Sequence, residues 1–125
     1  MSDDLSRAVA TVLEEYQESV IETVQRVTSE VAKEGLSKVK AASPVSGKSP
    51  KSSAYKSGWT KKVVTNRMGA SAIIYNGKYP GLVHLLEKGH ALRNGGRSTA
   101  FPHVAPVEEW MNSELQKRIK EAIQK

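Results

Sequence analysis

Residues 82–106, LVHLLEKGHALRNGGRSTAFPHVAP, carry the reading that decides the fold. An apolar run gives way to Glu87, Gly89 and His90, then to a polar glycine-rich loop that closes on His103 between Pro102 and Pro106. Pro80 to Leu86 predicts a short helix, since proline is tolerated in a first turn and Gly89 is placed to end it. Lys88 to Ser98 should be exposed. Thr99 to Val104 reads as a third strand, and Pro106 as the start of a last helix with Glu108 and Glu109 in its first turn. Val107, Met111, Leu115, Ile119 and Ile123 form the apolar edge of that helix, widened by Trp110 and Ala122.

Upstream, Trp59 to Thr65 and Ala70 to Tyr75 alternate as strands do, with turn chemistry from Asn66 to Gly69, so a hairpin is expected. Residues 43–58, SPVSGKSPKSSAYKSG, have the proline, glycine, serine and lysine composition of a flexible connection. Before it, Leu5, Val9, Val12, Tyr16, Val20, Val24, Val27 and Val31, then Leu36 or Val39, recur at three and four residues, the helical period. Ser2 or Asp3 can cap this helix, and Gly35 is a candidate break. If unbroken, it is on the order of 55 to 60 Å long at 1.5 Å per residue, longer than a domain of this size can cover. Part of its stripe must therefore pack against something else.

The expected architecture is α+β in one domain over residues 1–125. It has a long helix to residue 42, a flexible loop over 43–58, and a small antiparallel sheet with a short helix and a basic loop over 59–104. A C-terminal helix over 105–125 completes it.

The totals agree with a modest core. The chain has 125 residues, 38% of them hydrophobic and 6% aromatic, so the core should be thin and mostly aliphatic. With no cysteine there are no disulfides and no thiolate metal sites. No apolar run approaches a membrane span, and the acidic start is unlike a signal peptide, so the chain reads as soluble, unprocessed and made in the cytoplasm. Its net charge of +6 conceals two poles. Residues 1–35 hold eight acids against three bases, a net of −5, while residues 36–97 hold twelve bases against Glu87 alone, a net of +11. Such poles suit an acidic polymer such as DNA, or the acidic helix of an adjacent copy; lysines that merely solvate a sheet and its loops would look the same.

His84, His90 and His103 lie close in sequence and near Glu87, but His90 falls beyond the helix-ending glycine and no HExxH pattern occurs. A metal-dependent hydrolase is thus a distant reading, and Glu87 paired with a histidine reads as architecture. No GxSxG elbow, SxxK pair or phosphate loop appears either, and no cofactor is implied. Lys48, Lys51, Lys56, Lys61, Lys62, Arg93 and Arg97 cluster in loops and the hairpin, a pattern fit for phosphate contacts without base reading, so nonspecific DNA binding is the alternative function. Tyr55 and Trp59 are better placed as core anchors than as stacking platforms.

The order of parts resembles the head-tail joining, or neck, proteins of long-tailed bacteriophages, the gene-product-ten family of HK-type phages. Ser43, Pro44 and Gly47 carry the likeness first, then Tyr55, Ser57 and Trp59. After them come His84, Leu85, Glu87, Gly89 and His90, and finally Pro102, His103 and Pro106. The resemblance implies a non-enzymatic virion protein made in the host cytoplasm. It would form a homo-oligomeric ring that joins the capsid connector to the tail, with phage head-completion and tail-terminator proteins as partners and its basic loops facing packaged DNA or a neighbouring ring. An acidic helix and a basic hairpin on one chain are compatible with head-to-tail pairing around such a ring.

Overall fold

The helical period yields one uninterrupted helix, α1, spanning Ser2–Ala42 in a computed structural model that describes residues 2–45, 50–67 and 69–124. At 41 residues it is about 60 Å long. The side chains of Ser2 and Asp3, the expected caps, lie outside the described residues. Gly35 does not break α1. It lets the C-terminal helix come close, because a Cβ there would meet Met111 Sδ at 2.5 Å and Ile74 Cδ1 at 3.1 Å.

The two halves of α1 have different fates. Val27, Val31, Ala32 and Val39 are buried, whereas every residue from Asp4 to Ser19 is exposed. The apolar stripe is the same throughout; among the described residues only its second half has a partner.

Residues 43–58 are not simply the flexible connection their composition predicts, since Pro50–Ser57 forms a second helix, α2. Proline opens it, where its missing N–H leaves nothing unsatisfied. Tyr55, 1% exposed, anchors it in the core, and this burial outweighs a sequence poor in strong helix formers. Gly47 and Lys48, read as parts of that loop, lie outside the described residues.

Strands β1 (Trp59–Asn66) and β2 (Gly69–Asn76) form the expected hairpin, antiparallel, with Trp59 opposite Asn76 and Val63 opposite Ala72. Directly opposed residues share a face. Trp59, Val63, Ala72 and Ile74 therefore lie on one face with Lys61, and Thr60, Lys62, Val64, Ser71, Ile73 and Tyr75 on the other. The burial alternation along β2 shows the first face turned inward, where both strands contact α1. Gln25 Nε2 donates to Asn66 O at 2.9 Å, which sets the hairpin tip against the middle of α1.

Helix α3 (Pro80–Lys88) ends at Gly89, whose φ is +72°, as its position predicted. A side chain there would be strained, and its Cβ would also meet Ser98 O at 2.6 Å. The third strand expected over Thr99–Val104 does not form: the sheet among the described residues has two strands. The reason lies in the backbone donors. Phe101 N–H donates to Leu86 O at 2.7 Å, His103 and Val104 N–H donate to Glu87, and Pro102 has no N–H, so the segment is bound to the end of α3 and not to a ladder. The last helix, α4 (Ala105–Ile123), starts one residue before Pro106 and packs on α1. The core that unites these elements is Val39, Tyr55, Trp59 and Val107, with Leu36, Ile74, Leu82, Leu86 and Met111 around it.

Candidate functional site

The motif residues of the 82–106 stretch converge on one joint. Helix α4 begins with Val104 in the capping position, which has no side chain able to accept from the exposed N–H groups of the first turn. Glu87, at the end of α3, does so instead. Its Oε1 accepts from His103 N–H at 2.9 Å and Val104 N–H at 3.0 Å, and its Oε2 from Ala105 N–H at 2.9 Å. A carboxylate at a helix N-terminus is also favoured by the helix dipole. Burial pushes the Glu87 carboxyl up, but the three backbone donors and nearby His103 together outweigh it and hold it below its ordinary value.

His103 is 2% exposed and fully engaged. Its Nδ1 faces two acceptors, Phe101 O at 2.7 Å and Glu87 Oε1 at 3.1 Å, so Nδ1 carries the proton. In the neutral ring Nε2 is then an acceptor, and Tyr55 O–H donates to it at 2.6 Å. Burial, and secondarily the Glu87 charge, push the Tyr55 phenol up to about 12, so it remains a donor. Trp59, Tyr55 and His103 pack edge to face with ring centroids 5.6 to 6.0 Å apart. Trp59 Nε1 donates to Ser43 Oγ at 2.7 Å, and Ser43 Oγ donates to Val39 O at 2.7 Å, which ties the cluster to the end of α1. Asn76 is also buried; it donates to Tyr55 O at 2.7 Å and accepts from Lys78 and Tyr79 N–H.

The cluster is knit together by its own hydrogen bonds. Every buried side-chain polar atom among the described residues has a hydrogen-bond partner. The three histidines do not converge. His84 is exposed on α3, His90 Nδ1 pairs with Ser98 Oγ at 2.9 Å, and His103 faces Tyr55; no group able to hold a metal occurs among the described residues. No helix among them is long and apolar enough to cross a membrane.

The basic residues expected to make contacts are spread over several elements. Lys51 and Lys56 belong to α2, Lys61 and Lys62 to opposite faces of β1, and Arg93 and Arg97 to the exposed loop after α3, while Lys48 lies outside the described residues. Arg97 Nη2 donates to Gly89 O at 3.4 Å. Pro102 and Pro106 flank the Glu87 joint. Sequence reasoning missed Asn76 and Ser43 as buried hydrogen-bonding groups, and missed that Glu87 caps α4. The one available signal was the absence of Ser, Thr, Asp or Asn at the start of α4.

The outstanding surface is the first half of α1. Leu5, Val9, Val12, Leu13 and Tyr16 form an exposed apolar stripe on a helix that carries Asp4, Glu14, Glu15, Glu18 and Glu22. Farther along, α1 is fastened to α4 by Arg118, which grips Glu34 with both terminal nitrogens and Glu114 at 3.0 Å. Hydrogen bonding to Arg118 holds the Glu34 carboxyl low, and the same pairing raises Arg118.

These features define a small α+β protein with a helix too long for its own body to cover. Residues 7–89 match the model of the HK97 gp10-like family, described as "Bacteriophage HK97-gp10, putative tail-component", and the chain belongs to that family. The match spans α1 from Arg7 onward, the hairpin and Glu87, and ends at Gly89, before Pro102, His103 and Pro106. No curated protein and no solved structure matches the chain significantly.

Proposed function

We propose that this chain is a structural virion protein of the phage neck that joins the capsid connector to the tail as a homo-oligomeric ring and performs no catalysis. The observation that carries the reading is the unpartnered half of α1, exposed over its whole length from Asp4 to Ser19 while retaining the apolar stripe that is buried farther along. Contiguous exposed apolar surface of this kind marks an interaction site. Membership in a family described as a phage tail component supports it. Sister copies cover that stripe, and head-completion and tail-terminator proteins stack on the ring. In this reading the protein is made in the host cytoplasm and resides in the virion. Disruption of the gene tests it: lysates should contain heads and tails that fail to join, whereas infectious particles assembled without the protein would overturn the reading.

Nonspecific DNA binding is the second reading. It is favoured by Lys56, Lys61, Lys62, Arg93 and Arg97, none of which takes part in an ion pair among the described residues. Duplex binding that weakens steeply with salt supports it, and absence of binding at low salt removes it.

A further inference from the structure

The exposed stripe of α1 has a counterpart on the same chain. On the outward face of the hairpin Val64, Ile73 and Tyr75 are exposed at 45%, 59% and 45%, a row of large apolar groups that no element of this chain covers among the described residues. We infer that the first half of α1 from one copy lies across the outward hairpin face of the next, a head-to-tail joint between Leu5–Tyr16 and the Val64, Ile73 and Tyr75 row. This inference rests on the reading of the protein as a self-assembling structural component and names the surfaces that meet.

Three observations commit the surface to a second copy. The lengths are comparable: Leu5 to Tyr16 spans about 17 Å at 1.5 Å per residue, and the row from Val64, opposite Ser71, to Tyr75 spans about 13 Å at 3.3 Å per residue. The charges agree as well. Residues 2–22 carry six acids against Arg7, a net of −5, while the hairpin segment 59–78 has no acid and sets Lys62 on the outward face itself, with Arg67 at the turn and Lys78 just past β2. The charge also argues against the simplest rival, in which two copies pair their α1 stripes, because that arrangement brings two strongly acidic helices together. Finally, the two patches cannot meet within one chain. The hairpin is laid on α1 by its inner face with its tip at Gln25, so its outer face points away from the helix that carries the stripe. A contact that uses two different patches of each copy is heterologous, and it closes into a ring when the rotation per step permits.

The chain has no cysteine, so crosslinking can report the joint without background. Val12, 63% exposed, and Ile73 accept substitution without disturbing the core. Chains carrying Val12→Cys and chains of different tag size carrying Ile73→Cys are mixed, their assembly followed by sedimentation velocity, and the mixture oxidised. The expected result is a mixed V12C–I73C disulfide as the major product, with little self-crosslinking of either variant alone and a loss of the mixed product when Lys62→Glu is added. Efficient self-crosslinking of V12C would overturn the joint in favour of helix-to-helix pairing. Sedimenting assemblies without the mixed product would overturn the joint while leaving self-assembly in place. A monomer at every concentration would overturn the joint and self-assembly together.

Discussion

Tyr55 O–H donates to His103 Nε2 at 2.6 Å across 48 residues of sequence, linking α2 to the segment that enters α4. The pair joins three elements, because the other nitrogen of the same ring faces Phe101 O and Glu87 at the end of α3.

Replacing Tyr55 by Phe keeps the ring packing and deletes the donor, which leaves Nε2 of a buried imidazole unsatisfied. The expected cost is about 1–3 kcal/mol, read as a lowered urea midpoint with unchanged slope. An unchanged midpoint would show that the hydrogen bond contributes nothing.

Glu87→Gln replaces a charged acceptor of three backbone N–H groups by a neutral one, at an expected loss of about 1.5–3 kcal/mol. The sign of the pH dependence follows from the depressed carboxyl. Its contribution is complete above the unfolded value, near 4.5, and is lost as pH falls through the lower folded value. Thermal melts should therefore show the parent losing stability more steeply than Glu87→Gln as pH drops below that point. Parallel curves would remove Glu87 as a source of acid sensitivity.

Two glycines give opposed outcomes. Gly89→Ala forces a side chain into positive φ and against Ser98 O, so it should destabilise by more than about 1 kcal/mol. Gly81→Ala in α3 meets nothing within 4 Å and should be neutral or stabilising by up to about 1 kcal/mol. Equal effects in denaturant titrations would contradict this account of the turn.

Arg118→Ala releases Glu34 on α1 and Glu114 on α4. Because this grip is at the surface, a small drop in melting temperature is expected, and added salt should narrow the gap between variant and parent. A gap unaffected by salt would mean that Arg118 acts through packing of its stem.

Much of this fold is legible in local pattern. The stripe from Leu5 to Val39, the alternation on either side of Asn66 and Gly69, and the Pro80 to Gly89 punctuation each depend on neighbours in sequence, and each yields its element. Where structure and sequence part, distant contacts decide. Pro50–Ser57 has the composition of a loop and is helical because Tyr55 finds Trp59 and His103. Thr99–Val104 reads as a third strand and is none because its donors meet Leu86 and Glu87. The capping of α4 by a carboxylate 16 to 18 residues upstream is invisible to local reading, although the motif that contains it is plain. The over-long helix was the most informative expectation, since covered length is an arithmetic limit and not a propensity.

The central claim is that the protruding half of α1 exists to meet another molecule of the same kind. Sedimentation velocity over a wide concentration range, comparing the parent with a Val9→Asp/Val12→Asp variant, tests it most directly, because both positions are exposed and the subunit core is untouched. The account predicts concentration-dependent assembly of the parent and a monomeric variant with the same melting temperature. Equal assembly of both proteins, or a parent that stays monomeric throughout, would contradict it.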